Sequence, residues 1–318
     1  MFNYKLANPE TWFGRSSDQQ LYLHEKVLFS NLNEPFPFKT NKTFALLGYS
    51  SDEGVRRNHG RIGSALGPDA IRRQLGKMPN HLGEDTQLID FGNLQCINQD
   101  LEELQIECTN AVNYFIENRT TPVLLGGSHD LAYAHYNGLR QHIKSGEKIG
   151  IINFDAHFDL RANTNGSNSG TPFYQIAFDH AKNSDSIKYM ALGIRKDANT
   201  KDLFEFAELH QVNYLFQKYF NMNYLEHVQL RIIQFLEDVD YVYATIDLDG
   251  FSSAYAPGVS APSPMGFSPD VVIESLKLII ESGKLIGLDV VELNPKYDID
   301  DQTAKLAASL IHYVIHKL

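Results

Sequence analysis

The chain has 318 residues, and its 28 lysines and arginines against 39 aspartates and glutamates give a formal net charge of -11 at pH 7. This acidic balance disfavours nonspecific binding to nucleic acid and to anionic membrane surfaces, so we expect a small-molecule partner. No run approaches the roughly 18 apolar residues of a membrane span, and the N-terminus lacks the pattern of a signal peptide. Cys96 and Cys108 are too few for a disulfide framework, which fits a cytoplasmic protein.

Strands and helices are predicted to alternate along the chain. Short runs rich in β-branched and aromatic residues predict strands buried on both faces at 43–48, 87–91, 122–125, 148–154, 188–192, 241–246 and 284–288. Apolar residues at helical spacing predict helices at 101–118, 131–143, 225–236, 269–281 and 302–316. The alternation predicts an α/β fold with three layers, α/β/α, around a central, mainly parallel sheet.

The predicted domain organisation is simple. No internal repeat, low-complexity segment or long linker interrupts residues 40–318, which we expect to form a single catalytic domain. Residues 1–39 are predicted to be an N-terminal extension packed on this domain. Residues 161–170 are rich in Asn, Ser and Gly, a composition that is typical of a surface loop at the mouth of a site.

Acidic residues and histidines follow three of the predicted strands at their carboxyl ends. The segments are GGSHD at 126–130, DAHFD at 155–159 and DLDG at 247–250. Ligands of open α/β sheets gather at this edge, so five carboxylates and two histidines are expected to converge there. Their mutual repulsion is too costly without a compensating cation. The sequence therefore predicts a site for two divalent metal ions.

The spacing of these side chains suggests how they share a site. In an extended segment, Asp155, His157 and Asp159 would point to one side, and Asp247 and Asp249 would repeat the arrangement. Oxygen and nitrogen donors without thiolates suit manganese best, although the order of affinities alone would favour zinc or copper. The alternative for any one of these residues is a buried polar group with a structural hydrogen bond, and it is their combination that favours metal binding.

Four segments resemble the signature blocks of the ureohydrolase superfamily, which contains arginases, agmatinases and formimidoylglutamases. They are GGSHD at 126–130, DAHFD at 155–159, DLDGFSSAYAPGVSAPSPMGF at 247–267 and GLDVVELNP at 287–295. Four blocks in the family's order are specific, whereas one block alone is weak. The resemblance implies an arginase-like fold that binds two Mn²⁺ ions per subunit.

The resemblance also implies which residues hold each ion. The ligands of one manganese would be His129, Asp155, Asp159 and Asp247. The ligands of the other would be Asp155, His157, Asp247 and Asp249. Asp155 and Asp247 would therefore bridge the two ions.

Three further features resemble formimidoylglutamases more than other members. DEGVRRNHGRIG at 52–63, followed by GPDAIRR at 67–73, is similar to their GVRRNxGRxGAxxGPxAIR pattern. SGTPF begins at Ser169, where arginases and agmatinases typically carry a His that serves as a proton shuttle. Arg161 stands where arginase has Asn, and its guanidinium suits the two carboxylates of formimidoylglutamate. The alternative for Arg161 is a solvated loop charge.

Two pairs of residues depart from the family pattern. Ser252 and Ser253 stand where many relatives have Asp-Pro, and Ser128 and Asp130 stand where formimidoylglutamases more often have Gly and Glu. Neither departure removes a metal ligand. Both leave a shifted substrate choice open.

The resemblance implies a formimidoylglutamase, which hydrolyses N-formimidoyl-L-glutamate to L-glutamate and formamide in histidine catabolism. A hydroxide bridging the two Mn ions would attack the formimidoyl carbon. Glu292 would bind and polarise the cationic N–C–N group, and Asp159 would pass a proton to the departing nitrogen. The alternative for Glu292 is a structural ion pair.

Other functions stay open at this point. A guanidino or amidino hydrolase such as arginase, agmatinase or guanidinobutyrase is one, and Ser169 argues against it. A noncatalytic relative is another, and the complete set of six ligands argues against it. A hydrolase of acetylated polyamines fits less well, because the similar deacetylases have a mononuclear ligand set. The resemblance also leaves a homo-oligomer open without deciding its size.

Overall fold

A computed structural model describes residues 4–37, 42–182 and 185–318. Its strands are β1 (Tyr4–Lys5), β2 (Leu28–Phe29), β3 (Lys42–Ser50), β4 (Thr86–Gln95), β5 (Thr121–Gly126), β6 (Ile149–Phe154), β7 (Lys188–Ile194), β8 (Asn213–Phe216), β9 (Tyr241–Asp247) and β10 (Leu285–Val291). They form one sheet with the order β1-β4-β3-β5-β10-β9-β6-β7-β8, and β2 pairs with β4. Every described pair is parallel except β1 with β4.

Helices cover both faces of this sheet. They are α1 (Leu23–Lys26), α2 (Glu53–Arg57), α3 (Gly67–Leu75), α4 (Leu101–Glu117), α5 (Leu131–Arg140), α6 (Pro172–Lys182), α7 (Lys201–Leu209), α8 (Leu225–Glu237), α9 (Pro269–Glu281) and α10 (Gln302–Lys317). The apolar faces of α3, α8, α9 and α10 form one core with the sheet, and those of α4 to α7 form a second core. Alternate residues of each strand enter alternate cores: in β5, Val123 and Leu125 enter the first and Leu124 the second. The predicted three-layer α/β/α architecture is confirmed.

The predicted elements agree with the structure, but the prediction was incomplete. All seven predicted strands and all five predicted helices are present, and α9 has the predicted bounds. The helices α1, α2, α3, α6 and α7 and the strands β1, β2 and β8 were missed. In α7 only Leu203 and Ala207 are buried, and β8 has four residues, so neither repeats its apolar pattern often enough to be recognised.

The described part of the N-terminal segment belongs to the sheet. Strands β1 and β2 pair with β4, and the indole of Trp12 donates to the buried carboxylate of Asp90 at 2.8 Å. The guanidinium of Arg72 donates to both oxygens of the same carboxylate at 2.7 Å. The predicted boundary between residues 39 and 40 lies outside the described residues, so the division into extension and domain stays a prediction.

Within the described ranges, the structure has no helix that is long and apolar enough to span a bilayer. The longest, α4, has 17 residues and carries four glutamates.

Candidate metal centre

Four neighbouring strands deliver the candidate residues to one place. In the sheet order, β5, β10, β9 and β6 are adjacent and parallel, so their carboxyl ends lie side by side. His129 follows β5 after a short turn, Asp155 follows β6 directly, Asp247 ends β9, and Glu292 follows β10 directly. The edge of the sheet on which the sequence placed these residues is therefore the edge on which they converge.

The first group of side chains surrounds the ring of His129. Its Nδ1 lies 2.9 Å from Asp159 Oδ2, 3.0 Å from Asp247 Oδ2 and 3.5 Å from Asp155 Oδ2. All four residues are buried, and together they offer enough donor atoms for one metal ion. They are the four predicted ligands of the first ion.

A second group lies next to the first and shares one of its members. His157 Nδ1 is 3.3 Å from Asp155 Oδ1 and 3.2 Å from Asp249 Oδ1. These three residues offer donors for a second ion, with Asp155 common to both groups. Asp247 lies in the first group only, and its Oδ1 accepts the backbone N–H of Asp249 at 2.8 Å. Its role as a second bridge therefore stays a prediction.

The local backbone differs from the expected extended segments. Residues 156 and 157 form a bend, and Asp159 adopts a left-handed φ of 49°. Asp155 Oδ1 accepts the backbone N–H of His157 at 2.7 Å, a local bond that favours a turn over a continued strand. Residues 248–250 likewise form a 3-10 turn. The expectation of extended segments was wrong, because side chain to backbone bonds bend the chain just beyond each strand.

The described residues fit a pair of metal ions. Burial, followed by repulsion from neighbouring carboxylates, raises the pKa of Asp247 well above its ordinary value, and burial also raises the pKa values of Asp159 and Asp249. Two buried atoms in the cluster, Nδ1 of His129 and Oδ1 of Asp249, have no hydrogen-bond partner among the described residues. Divalent cations would satisfy these donor atoms and favour the ionised carboxylates.

A buried hydrogen-bond chain orients His129 from behind. Its Nε2 lies 3.0 Å from Thr245 Oγ1, and the Thr245 hydroxyl donates to Asp289 Oδ1 at 2.5 Å. Asp289 also accepts the hydroxyl of Tyr243 at 2.5 Å and lies 2.7 Å from His135 Nδ1. Because the Thr245 hydroxyl donates to Asp289, its oxygen accepts Nε2–H, which leaves the Nδ1 lone pair of His129 for a metal. Sequence reasoning missed this support, although Asp289 lies inside the GLDVVELNP block.

Glu292 lies beside the metal cluster with a constrained backbone. It has a left-handed φ of 67°, and its Oε1 accepts the backbone N–H of His129 at 2.8 Å. Burial, reinforced by the charge of Asp249, raises the pKa of Glu292 to about 8. In the part of the chain that the structure describes, Glu292 makes no salt bridge, which disfavours the alternative of a structural ion pair.

A cavity of about 310 Å³ opens onto the cluster. Asp159, Asp249 and Glu292 line its buried part, and Arg161 and Ser169 belong to its wall. Arg161 is exposed, and among the described residues its guanidinium has no hydrogen bond or ion pair. The cavity thus brings the cluster of candidate metal ligands together with an exposed cation.

Fold and cluster together are those of a metal-dependent α/β enzyme, and comparison with known proteins identifies the family. The sequence profile of the arginase family matches residues 42–316, and the chain belongs to this family. A formimidoylglutamase from Clostridium tetani is 38% identical to the chain, over 98% of the chain and 96% of the relative.

Solved structures agree on the fold. The crystal structure of formimidoylglutamase from Bacillus subtilis matches with a TM-score of 0.81 and 21% identity, covering 95% of this chain and 93% of that one. Trypanosoma cruzi formiminoglutamase with Mn²⁺ matches with a TM-score of 0.75 and 21% identity, covering 87% of this chain and 93% of that one. The arginase-like fold and the family predicted from the sequence are confirmed.

Metal uptake by this site should release protons. Burial and the charge of Asp249 raise the pKa of Asp247. Burial alone would lower the pKa of His129, but hydrogen bonds with Asp155 and Asp159 raise this pKa well above its ordinary value. The metal-free site therefore holds protons at pH 7 that a cation must displace, so the affinity for Mn²⁺ should increase with pH. Calorimetric titrations in two buffers of different ionisation enthalpy should show release of about one proton or more per site. Identical heats in both buffers would contradict this.

Replacing Thr245 by Val should weaken metal binding. The change keeps the shape of the side chain but removes the acceptor for His129 Nε2–H. We expect a loss of about 10- to 100-fold in Mn²⁺ affinity, measured by competition with a chelator. Thr43→Val is the matched control, since Thr43 is a buried threonine of the same sheet whose hydroxyl has no hydrogen-bond partner in the described ranges. Equal affinities for the two variants would show that the chain behind His129 does not support the metal site.

Proposed function

We propose that the protein is a formimidoylglutamase, which hydrolyses N-formimidoyl-L-glutamate to L-glutamate and formamide in histidine catabolism. The observation that carries the proposal is the composition of the cavity. It combines the buried cluster of candidate metal ligands and Glu292 with the exposed guanidinium of Arg161, and it has Ser169 where arginases and agmatinases typically carry a His. Relatives named formimidoylglutamase, 38% to 43% identical over most of the chain, support the proposal.

The donor set supports manganese as the metal. We propose that one ion is held by His129, Asp155, Asp159 and Asp247. The second would be held by Asp155, His157, Asp247 and Asp249. Imidazole and carboxylate donors without thiolates suit Mn²⁺, which is the metal named for the Trypanosoma cruzi structure. When bound, the two ions supply Lewis acidity that lowers the pKa of water and makes hydroxide available near neutral pH.

Glu292 is proposed to bind the reacting end of the substrate. Glu292 is 4% exposed and lines the cavity next to the cluster. A cationic N–C–N group placed against it would favour the ionised form and offset the burial that raises its pKa to about 8. The resulting charge-assisted hydrogen bonds would orient the formimidoyl carbon.

Asp159 is proposed to carry the proton to the departing glutamate nitrogen. Its side chain is 11% exposed, compared with 0% for Asp155, 3% for Asp247 and 7% for Asp249. It is thus the carboxylate of the cluster that is most accessible from the cavity, where the leaving nitrogen must be reached.

Arg161 is proposed to bind the carboxylates of the substrate. The buried part of the cavity is lined by acidic groups, which disfavour a dianionic tail, whereas Arg161 offers a planar, exposed cation at its wall. The substrate would therefore bind with its amidine towards Glu292 and its carboxylates towards Arg161.

The remaining assignments concern the protein as a whole. We place it in the cytoplasm, where a reducing environment suits the free thiols of Cys96 and Cys108. We retain residues 40–318 as the catalytic domain with residues 1–39 packed on it, and a homo-oligomer stays open.

A side-by-side assay tests the proposed function. Manganese-reconstituted protein is offered formimidoylglutamate, arginine, agmatine and guanidinobutyrate, and the release of glutamate, formamide and urea is measured. We expect glutamate and formamide from the first substrate alone. Urea from a guanidino compound would replace the proposal with a guanidino hydrolase, and no turnover of any substrate would favour a noncatalytic relative.

Replacing Glu292 by Gln should impair turnover and spare the metals. The change removes the negative charge facing the amidine but keeps an oxygen that can accept the His129 backbone N–H. We expect kcat/KM to decrease by about 100-fold or more, with the manganese content of the wild type. Glu107→Gln is the control, because Glu107 is also a buried glutamate but lies on α4. Activity equal to that of this control would remove Glu292 from the mechanism.

A further inference from the structure

The GVRRN segment lies between the metal cluster and the loop of residues 161–170, called here the substrate loop. The GVRRN segment comprises residues 54–57 of α2 and Asn58, the C-cap residue of this helix. Gly54 packs directly on Ser128 and Asp130, and the space beside its Cα is filled by their polar atoms. Its side-chain-free surface therefore fixes α2 against the turn that carries His129.

The substrate loop is attached to this helix at three points. Ser169 N–H donates to the carbonyl oxygen of Gly54 at 3.2 Å, and Asn58 Nδ2 donates to Ser169 Oγ at 2.9 Å. Arg57 Nη1 donates to the carbonyl oxygen of Ser167 at 3.2 Å. Arg57 and Ser167 are separated by 110 residues in sequence, so the helix joins distant parts of the chain.

Two acidic side chains hold Arg57 in this position. Its Nε donates to Glu53 Oε1 at 2.9 Å, and Nη1 and Nη2 form a forked pair with Glu102 at 2.6 and 3.0 Å. Its Nη2 also donates to the carbonyl oxygen of Gln99 at 3.0 Å. The guanidinium thus connects α2, the start of α4 and the substrate loop, with its donors directed by fixed acceptors.

The neighbouring Arg56 has no such connection. Its guanidinium makes a forked pair with Glu53, at 2.7 and 2.6 Å, and its side chain is 50% exposed. If one of the two arginines is replaced, the other can still pair with Glu53. The two positions therefore differ in one respect that matters: only Arg57 contacts the substrate loop.

The loop that contains Ser167 also forms part of the cavity wall. The loop closes through the Arg161 N–H, which donates to the Gly170 carbonyl at 2.9 Å, and Gly170 packs against the side chains of Arg161 and Asn58. Asn58, Arg161 and Ser169 line the cavity, whereas Arg57 does not.

We propose that Arg57 is a positioning residue for substrate binding: it holds the substrate loop on α2, so that Arg161 and Ser169 face the cavity, without itself contacting the substrate. The identity of the substrate rests on the proposed function, whereas the attachment of the loop does not. The proposal accounts for two adjacent arginines in one motif, of which one is a clamp and the other a surface partner of Glu53.

Arg57→Ala, with Arg56→Ala as the matched control, tests the proposal. We expect Arg57→Ala to raise KM for formimidoylglutamate about tenfold, with kcat within about twofold of the wild type and an unchanged manganese content. Arg57→Lys should restore part of the loss, because one charged donor remains. Amide hydrogen exchange of residues 166–170 should accelerate in Arg57→Ala and stay as in the wild type in Arg56→Ala.

The two readouts separate this proposal from the proposed function. Exchange of the loop that is identical in the two alanine variants would overturn the clamp, whatever the substrate is. Accelerated exchange in a protein that does not turn over formimidoylglutamate would support the clamp and remove the proposed function. If Arg57→Ala does not fold, Glu102→Gln is the alternative variant, because it weakens the ion pair that holds Arg57 and changes an exposed residue. That variant should show a smaller acceleration in the same residues, and its absence would overturn the clamp.

Discussion

Holding several carboxylates together at the buried edge of a sheet is the constraint on which the rest of this structure depends. Burial and mutual repulsion raise the pKa values of Asp159, Asp247 and Asp249, so the cluster favours cations in its midst. The adjacency of β5, β10, β9 and β6 brings the ligands together, and hydrogen bonds behind them orient His129. A single slipped strand would separate donors that must lie within a few ångströms of each other.

The two ends of the cavity are built in different ways. The metal end rests on strand termini and on the buried pair Thr245 and Asp289, which suits ligands that need a fixed geometry. The substrate end is a surface loop, held by polar contacts from α2. Loops tolerate sequence change better than strands do, so members of one family can keep the metal site and vary the substrate.

The two departures from the family pattern lie outside the cavity. The hydroxyl of Ser128 donates to Asp130, whose carboxylate also accepts the Tyr49 hydroxyl at 2.6 Å. All three residues are buried at the turn that carries His129. Ser252 and Ser253 are held by backbone bonds to neighbouring loop residues. None of these residues lines the cavity, so any effect of the departures on the choice of substrate would be indirect.

The sequence by itself determined the layered α/β architecture, the main strands and helices, and the residues that gather at one edge. It did so because apolar periodicity reports burial locally and strand ends in a parallel sheet share an edge. Only the tertiary structure decided the bends at 155–159 and 248–250, the support of His129 by Thr245, and the attachment of the substrate loop by Arg57. The last two join residues 116 and 110 positions apart, and no local pattern predicts which polar groups meet across such separations.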